Sequence, residues 1–287
     1  MSLLAELVFV KGHGTANDFI LYNNEKSSIH ISPTQVEALC DRRSGLGADG
    51  VIGAVRTKNI DLPGIDHGNA TWFMDHQNAD GSYAEMCGNG ARVFARYLVA
   101  NGLETEKEFT ISTRGGVRAV QVHPDLTVSI EMGQAFAASP QAPTPTQRIH
   151  LATGEVFDSV GVFFPNPHAV CWVDEAQLSQ LILCEIPAVE PLDAFPEGMN
   201  VEFAAITAPG EVRMRVFERG VGETQSCGTG ACAVAWAARR SQKIHENQFV
   251  WKVSVPGGEL FVSENSETGD FTLRGAAELV ARGRVLI

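Results

Sequence analysis

The stretch Cys87-Gly88-Asn89-Gly90-Ala91 occurs a second time, as Cys227-Gly228-Thr229-Gly230-Ala231, 140 residues further along the chain. Each copy continues into an alanine-rich segment with apolar residues at helical spacing, so each cysteine is predicted to stand where a helix begins. A polar residue precedes each cysteine by nine positions, Asn78 in the first copy and Glu218 in the second. The spacing, close to half of the chain, indicates an old duplication. It predicts two domains of one plan, related by a pseudo-twofold axis.

The rest of the chain fits two domains of mixed structure. The length of 287 residues suits about two domains. Helices are predicted over residues 87–100 and about 227–240, while short strand-like stretches fill most of the remainder. Residues 137–145 are small and rich in proline, which predicts a linker between the two halves.

The composition excludes several classes of protein. Hydrophobic residues make up 44% of the chain and charged residues 20%, which is typical of a globular fold and not of a disordered one. The net charge of −12 argues against nucleic acid or an anionic membrane as a partner. The N-terminus lacks the basic start of a signal peptide, and no apolar run reaches the ~18 residues of a membrane helix. We therefore expect a cytoplasmic protein with no nucleic-acid or membrane partner.

The six cysteines do not form a metal-binding pattern. None are spaced as C-x-x-C, and six in a chain of this length are too few for a disulfide scaffold. Four of them lie in apolar patterns and are predicted to be packing residues: Cys40, Cys171, Cys184 and Cys232. The two repeated cysteines are thereby separated from the rest.

The position of the repeated cysteines suggests proton transfer. The first turn of a helix carries unpaired N–H groups and a partial positive charge, which should lower the pKa of a thiol placed there. The same N–H groups can hold a carboxylate, and the glycines let a substrate approach the backbone. If a twofold axis directs both helices toward one cleft, a substrate carbon there meets one cysteine on each face. One thiolate can then remove a proton while the opposite thiol returns one, which inverts a stereocentre.

Two features precede the first repeat. Ser32 and Pro33 predict the start of a helix, with Arg42 and Arg43 at its C-terminal end. Residues 45–50 match the pattern G-x-G-x-x-G, but they follow the predicted helix and precede a strand. A dinucleotide-binding loop has the opposite arrangement, so we expect a simple loop here.

At these motifs the sequence resembles the diaminopimelate epimerases, a family that works without pyridoxal phosphate. Six motifs in the same order carry the resemblance across nearly the whole chain. They are residues 11–19 (KGHGTANDF), 45–50 (GLGADG), 78–90 (NADGS through CGNG), 166–168 (NPH), 198–202 (GMNVE) and 218–230 (ERGVGET through CGTG).

The resemblance implies roles around the reacting carbon of the substrate. Cys87 and Cys227 would be the acid/base pair. The carboxylate at the reacting centre would be held by two matching pairs, Gly88 with Asn89 and Gly228 with Thr229. Glu218 would bind the ammonium group at the same end, and His168 would support the site.

The resemblance also implies a grip on the distal end of the substrate. The residues concerned are Asn17, Asn78, Asn166, Asn200 and Arg219. An arginine fork with several amides suits a zwitterionic amino-acid end. The sequence departs from the family pattern in three places: Gly50 stands where some members have Gln, Pro165 where Gly is common, and Thr15-Ala16 where Leu-Gly is commoner.

The resemblance implies the fold, the activity and the partners as well. The expected fold is α+β, with two pseudo-symmetric domains, each a mixed β-sheet or barrel wrapped around a central helix. The first domain would comprise residues 1–133 with a returning strand at 275–287, and the second residues 134–274. The expected activity converts LL- to meso-diaminopimelate, for lysine and peptidoglycan precursors, without cofactor or metal. Since members of the family are often dimers, a homodimer is expected.

Two alternatives remain open at this stage. A related two-cysteine enzyme, such as a proline racemase, would act on another amino acid. The predicted distal grip argues against it, because proline has no distal zwitterion. A non-catalytic amino-acid-binding protein is the other alternative, but binding alone needs no thiol on each face of the ligand.

Overall fold

The chain forms two compact units. The computed structural model describes residues 6–138, 146–243 and 249–287. The N-terminal unit ends at Ile130 and resumes with Gly275–Ile287, while the C-terminal unit is Glu131–Arg274. The chain therefore passes from one unit to the other after Ile130 and again after Arg274. Of the predicted linker, residues 139–145 lie outside the described residues.

The N-terminal unit is a mixed sheet with one long helix. Its elements are β1 (Glu6–Gly14), β2 (Asn17–Asn23), α1 (Pro33–Cys40), β3 (Gly50–Arg56), a 3-10 turn (Thr57–Asn59), β4 (Trp72–Asn78), α2 (Gly88–Ala100), β5 (Glu108–Thr113), β6 (Gly116–Val122) and β7 (Val128–Gln134), which contains the point of division. Strands β2 and β3 are parallel, as are β4 and β5, whereas β1–β2, β3–β4, β5–β6 and β6–β7 are antiparallel.

The C-terminal unit is built in the same way. Its elements are β8 (Phe136–Ala137), β9 (Gln147–His150), β10 (Val156–Phe164), β11 (Asn166–Trp172), α3 (Glu175–Gln180), β12 (Ala188–Glu190), β13 (Asn200–Ala208), β14 (Glu211–Glu218), β15 (Gly222–Thr224), α4 (Gly228–Ser241), β16 (Val250–Val255), β17 (Gly258–Glu264) and β18 (Asp270–Gly275). Here β11 and β13 are parallel, as are β14 and β16, whereas β10–β11, β13–β14 and β16–β17 are antiparallel.

The last strand, β19 (Glu278–Leu286), belongs to the N-terminal unit. It pairs antiparallel with β1, so that Glu6 lies opposite Leu286 and His13 opposite Glu278. The end of the chain thus lies in the same unit as its first strand.

Each long helix lies against the sheet of its own unit. Helix α2 contacts β1, β2, β3, β6 and β19, and helix α4 contacts β10, β11, β13, β14, β16 and β17. Both helices are rich in alanine and are buried over most of their length, because small side chains let the surrounding strands approach closely. Helix α2 ends at Asn101, and Gly102 follows in the left-handed region. The predicted fold class, α+β with each unit wrapped around a central helix, is confirmed.

Two local predictions need correction. Helix α1 begins as expected, with Ser32 as N-cap, but it ends at Cys40, so Arg42 and Arg43 lie beyond it. Cys184 is exposed and not a packing residue, because it lies in the loop after the short helix α3. Cys40, Cys171 and Cys232 are buried as predicted. In the described part of the chain, no helix is long and apolar enough to cross a membrane.

The tight turn between β1 and β2 carries backbone strain. Thr15 and Ala16 both have positive φ, at 50° and 63°, and neither is glycine. An L-residue in this region costs about 1–2 kcal/mol. We expect Ala16→Gly to raise the free energy of unfolding by about 1 kcal/mol in denaturant titration, whereas Ala100→Gly, at the end of α2, should lower it. Equal effects of the two substitutions would contradict this explanation.

His76 on β4 is a buried imidazole inside the N-terminal unit. It is 3% exposed, and neither ring nitrogen has a hydrogen-bond partner among the described residues. Its ring meets Phe19 edge-on at 5.4 Å between centroids. Burial, aided by the Arg114 cation, lowers the pKa of His76 to about 4. The neutral form is therefore the one that the folded state favours.

The stability that depends on neutral His76 should be lost in acid. The pKa of His76 falls on folding, so its contribution is complete above about pH 6.5 and disappears as the pH falls through 4. From pH 7 to pH 4, the unfolding free energy of the wild type should fall by about 3 kcal/mol more than that of His76→Phe. Denaturant titrations at several pH values measure this difference. The exposed His30 supplies a control, His30→Gln, which should follow the wild-type curve.

Candidate active site

Cys87 is the N-cap residue of helix α2. Its backbone is extended, and its sulfur accepts a hydrogen bond from the N–H of Gly90 at 3.4 Å. A Cβ atom on Gly90 would lie 2.9 Å from Cε of Met74 and 3.3 Å from Ile52 and Phe19, so the helix packs closely against the sheet at this glycine. The sulfur therefore stands over the first turn, among backbone N–H groups, as the sequence predicts.

The amide of Asn17 lies beside this sulfur in a fixed orientation. Its Nδ2 donates to Oδ2 of Asp49 at 2.7 Å, and a carboxylate can only accept. Its Oδ1 therefore faces the thiol of Cys87, at 3.7 Å, and also accepts from Nδ2 of Asn89 at 3.3 Å. Three residues predicted from the sequence are thus brought together around one sulfur.

Asp49, which holds Asn17, belongs to a charged cluster that the sequence analysis did not identify. The guanidinium of Arg42 donates to Oδ1 of Asp49 at 2.7 Å and to both carboxylate oxygens of Asp18. Lys11 adds an ion pair with Asp18 at 2.9 Å. Although burial acts to raise the pKa of Asp18, the bonds from Arg42 and Lys11 lower it below its usual value. The pairing of β2 with β3 could have indicated this cluster, because Asp18 and Asp49 directly precede the paired residues Phe19 and Gly50.

Asn78 lies at the end of β4, opposite Gly50 on β3. Its Nδ2 donates to the hydroxyl of Ser82 at 3.0 Å, so the amide is tied to the following turn. A side chain at position 50 would not fit, because a Cβ there would lie 2.8 Å from Nε2 of His76 and 2.7 Å from the carbonyl of Gln77. The glycine that departs from the family pattern is therefore matched to the buried imidazole beside it.

Cys227 is the N-cap residue of helix α4 and is buried. Its sulfur accepts from the N–H of Gly230 at 3.4 Å and lies 3.4 Å from the hydroxyl of Thr229. Nδ2 of Asn200 also points at the sulfur, at 3.9 Å. Since Oδ1 of Asn200 accepts the backbone N–H of Arg219 at 2.9 Å, the orientation of this amide is fixed as well.

The predicted low pKa is wrong for Cys227. Burial raises the pKa of its thiol well above the ordinary value, and the carboxylates of Glu218 and Glu202 act in the same direction. The bonds from Thr229 and from the N–H of Gly230 act the other way and are outweighed. The prediction took account of the positive helix N-terminus, but burial removes solvent from the sulfur and raises its pKa by more.

Glu218 is the last residue of β14 and Arg219 follows it, but their side chains differ in exposure. Burial raises the pKa of the Glu218 carboxyl, against hydrogen bonds from Thr224 and Cys227 that lower it. Arg219 is exposed, and its guanidinium donates to the carbonyl of Glu197 at 3.0 Å. A partly buried carboxyl and an exposed guanidinium thus lie next to the Asn200 amide.

His168 on β11 is fully buried and bonded on both ring nitrogens. Nδ1 lies 2.6 Å from Oε1 of Glu202, and Nε2 lies 3.0 Å from Oδ1 of Asn166. The ring is therefore held between a carboxylate on one side and an amide on the other. Glu202 was quoted only as part of a motif in the sequence analysis, and no role was assigned to it. The parallel register of β11 and β13 brings it beside His168.

Each unit on its own presents a thiol and backbone donors at a helix N-terminus. The N-terminal unit gathers Asn17, Cys87, Gly88 and Asn89, with Asn78 at the start of the neighbouring turn. The C-terminal unit gathers Asn166, His168, Asn200, Glu218, Arg219, Cys227, Gly228 and Thr229. Such a constellation can hold a carboxylate and exchange a proton with a carbon next to it. Within the described ranges, no group of three or more His, Cys, Asp or Glu side chains is arranged to hold a metal ion.

Solved structures share the fold of this chain. A PhzF-family phenazine biosynthesis protein from Bacillus anthracis matches with a TM-score of 0.70, covering 99% of this chain and 100% of that one at 13% identity. A hydroxyproline epimerase from Agrobacterium vitis matches with a TM-score of 0.64, covering 98% of this chain and 93% of that one at 14% identity. At these identities the likeness concerns the fold alone.

Sequence relatives are much closer. The sequence model of the diaminopimelate epimerase family matches residues 9–137 and 162–280. The diaminopimelate epimerase of Streptomyces coelicolor is 41% identical over 96% of this chain and 94% of its own length. That of Rhodococcus erythropolis is 43% identical over 98% of this chain and 97% of its own length. On this likeness over nearly its whole length, the chain belongs to the diaminopimelate epimerase family.

Proposed function

We propose that this protein is an isomerase that interconverts LL- and meso-diaminopimelate without a cofactor, by removing the α-proton with one cysteine and returning a proton to the opposite face of the carbon from another. The observation that carries the proposal is the matching position of Cys87 and Cys227, each an N-cap that accepts an N–H bond from the glycine three residues later. Membership of the diaminopimelate epimerase family supports the choice of substrate.

The first requirement is to hold the carboxylate next to the reacting carbon. We assign this to the first turns of the two helices, at Gly88 with Asn89 and at Gly228 with Thr229. N–H groups of a first turn have no partner within the helix, and they carry the positive end of its dipole. They stabilise the charge that spreads into the carboxylate when the α-proton leaves.

The proton transfer then uses both sulfurs. One cysteine, as thiolate, takes the α-proton and becomes a thiol, and the electron pair of the broken C–H bond moves into the carboxylate. The other cysteine, as thiol, gives its proton to the opposite face of the carbon and becomes a thiolate. The configuration is inverted, and the two cysteines have exchanged protonation states, as the reverse reaction requires.

The remaining polar residues are assigned to orientation. Glu218 would bind the ammonium group at the reacting end. Burial raises the pKa of its carboxyl, and a bound cation would favour the ionised form again. His168 would hold Asn166, to which its ring is bonded at 3.0 Å. The distal amino-acid end would be gripped by Asn17, Asn78, Asn166, Asn200 and Arg219.

The alternatives fit less well. The hydroxyproline epimerase of similar fold is only 14% identical, whereas relatives named diaminopimelate epimerase are 41–43% identical. A non-catalytic amino-acid-binding protein gains nothing from two thiols set at helix N-termini.

In keeping with the family, we place the enzyme in lysine and peptidoglycan precursor synthesis, in the cytoplasm and as a homodimer.

Isotope exchange tests the two-thiol mechanism. In D2O, the first meso-diaminopimelate formed from the LL-isomer should carry deuterium at the inverted α-carbon, because the thiol that returns the proton exchanges with solvent. Cys87→Ser and Cys227→Ser should each reduce epimerisation by about 10²–10⁴-fold, since a hydroxyl is a far weaker acid and base at neutral pH. Product analysis by mass spectrometry measures both effects.

The control for this experiment is another cysteine of the same chain. Cys184 is exposed and lies outside the candidate site, so Cys184→Ser should keep full activity. Full activity in either the Cys87 or the Cys227 variant, or product without solvent deuterium, would refute the mechanism.

The Asp49 cluster should be needed to position Asn17. Asp49→Ala removes the acceptor of the 2.7 Å bond that sets the orientation of the Asn17 amide. We expect kcat/KM for diaminopimelate to fall by about 10–100-fold, because small displacements of a positioning group reduce the rate strongly. Glu25→Gln removes an ion pair with Arg56 elsewhere in the same unit and should leave kcat/KM unchanged. If the two variants behaved alike, the role assigned to Asp49 would be wrong.

A further inference from the structure

The turn between β1 and β2 lies directly against the start of helix α2. A Cβ atom on Gly14 would lie 3.1 Å from the carbonyl oxygen of Asn89 and 3.0 Å from Nη2 of Arg92. Thr15, the next residue, is 2% exposed, and its φ of 50° is rare for a side chain that is branched at Cβ. Backbone strain of this kind persists where the surrounding contacts hold it, and it clusters at functional sites. The contacts of the Thr15 side chain therefore bear on the candidate site.

A buried cation binds the oxygen of the Thr15 side chain. Arg92 lies on α2, four residues after Gly88, and is 0% exposed. Its Nη2 donates to Oγ1 of Thr15 at 3.2 Å, its Nη1 to the carbonyl of Gly88 at 3.4 Å and its Nε to the carbonyl of Ala276 at 3.3 Å. A guanidinium can only donate, so the Thr15 oxygen is the acceptor in this bond. One side chain thus joins the turn, the start of the helix and the segment between β18 and β19.

The hydroxyl of Thr15 continues a series of hydrogen bonds toward the site. Its Oγ1 donates to Oδ1 of Asn89 at 3.4 Å. Nδ2 of Asn89 donates to Oδ1 of Asn17 at 3.3 Å, and Nδ2 of Asn17 donates to Oδ2 of Asp49 at 2.7 Å. Every donor in the series points the same way, from a guanidinium that only donates to a carboxylate that only accepts. Hydrogen bonds aligned in one direction polarise and strengthen one another.

The orientation of the Asn89 amide matches a donor at Thr15. Because Asp49 binds the nitrogen of Asn17, the Asn17 oxygen accepts, and the Asn89 amide must turn its nitrogen toward it. The oxygen of Asn89 then faces position 15, where the threonine hydroxyl supplies the donor. Asn89 is 2% exposed, and removing a hydrogen-bond partner from a buried amide is costly. The hydroxyl therefore holds both amides in the orientation that Asp49 sets from the other end.

We propose that Thr15 is a positioning residue of this enzyme, whose hydroxyl orients the amide of Asn89 and, through it, the amide of Asn17 beside the sulfur of Cys87. The proposal rests on the proposed function, in which Asn89 holds the carboxylate at the reacting centre and Asn17 the distal end of the substrate. Thr15 acts through these two amides, and small displacements of such groups reduce the rate strongly.

Three substitutions of Thr15 separate the hydroxyl from the rest of the side chain. Thr15→Val keeps the branched shape, and so the backbone strain, but removes the hydroxyl. We expect kcat/KM for diaminopimelate to fall by about tenfold in this variant. Thr15→Ser keeps the hydroxyl and should stay within about threefold of the wild type, whereas Thr15→Ala, which differs from it by one oxygen, should lose about tenfold. The serine and alanine variants carry the test if Thr15→Val does not fold.

The matched control is a threonine away from the site. Thr105 is exposed in the loop after α2, so Thr105→Val should have the kcat/KM of the wild type.

A second measurement needs no substrate. In protein made with ¹⁵N-labelled asparagine, the side-chain NH2 signals of Asn89 and Asn17 are identified by their loss in Asn89→Ala and Asn17→Ala. In Thr15→Val and Thr15→Ala, the NH2 hydrogens of Asn89 should exchange with D2O about tenfold faster than in the wild type, because the amide is no longer held at its oxygen. Thr105→Val should leave this rate unchanged. If the wild type does not epimerise diaminopimelate, the proposed function fails, and the exchange rates still decide the role of Thr15.

A double variant tests whether the bonds act as one series. Thr15→Val and Asp49→Ala release the same two amides from opposite ends, so kcat/KM of the double variant should lie within about threefold of Asp49→Ala alone. A further tenfold loss in the double variant would overturn the proposal. So would wild-type kcat/KM or wild-type amide exchange in folded Thr15→Val, or an equal loss in the serine and alanine variants.

Discussion

The hydrogen bond from a glycine N–H to a cysteine sulfur, at the first turn of each central helix, is the contact on which the candidate site depends. It requires the cysteine to be the N-cap and the glycine to lie three residues on. In the C-terminal unit the buried Glu202 fills the space beneath that glycine, and in the N-terminal unit Met74, Ile52 and Phe19 lie close beneath it. Sulfur, helix and sheet are therefore fixed relative to one another by one backbone arrangement in each unit.

The amides beside the two sulfurs are oriented differently in the two units. Asn17 turns its oxygen to Cys87 because its nitrogen is bound by the carboxylate of Asp49. Asn200 turns its nitrogen to Cys227 because its oxygen is bound by a backbone N–H. Each orientation follows from a partner that can only accept or only donate. Groups of the same type thus present an acceptor to one sulfur and a donor to the other.

Local patterns predicted the parts of this structure that depend on local physics. The N-caps of α1, α2 and α4 could be predicted, because Ser32, Cys87 and Cys227 stand directly before helical patterns. Helix α3 was missed because it is only six residues long and Leu178 is its one buried side chain, which is too little to show a helical periodicity. The Asp49 cluster and the His168–Glu202 pair were missed because parallel pairing joins residues 31–34 positions apart. The exposure of Cys184 and the burial of Cys227 likewise depend on tertiary packing, which composition does not reveal.

Two effects act in opposite directions on the pKa of the Cys227 thiol, and their magnitudes decide which one prevails. The positive end of a helix is worth about 0.3–2 kcal/mol to an anion. Full burial can shift a pKa by about 3–5 units, at about 1.4 kcal/mol each. In the free protein burial therefore dominates, and the nearby carboxylates of Glu218 and Glu202 add to it. A substrate ammonium bound by Glu218 would cancel one of those charges at the moment when the sulfur must begin to exchange protons. In the proposed mechanism the substrate thus supplies part of the electrostatic balance that lets the cysteine act, and the free enzyme keeps its thiol protonated until then.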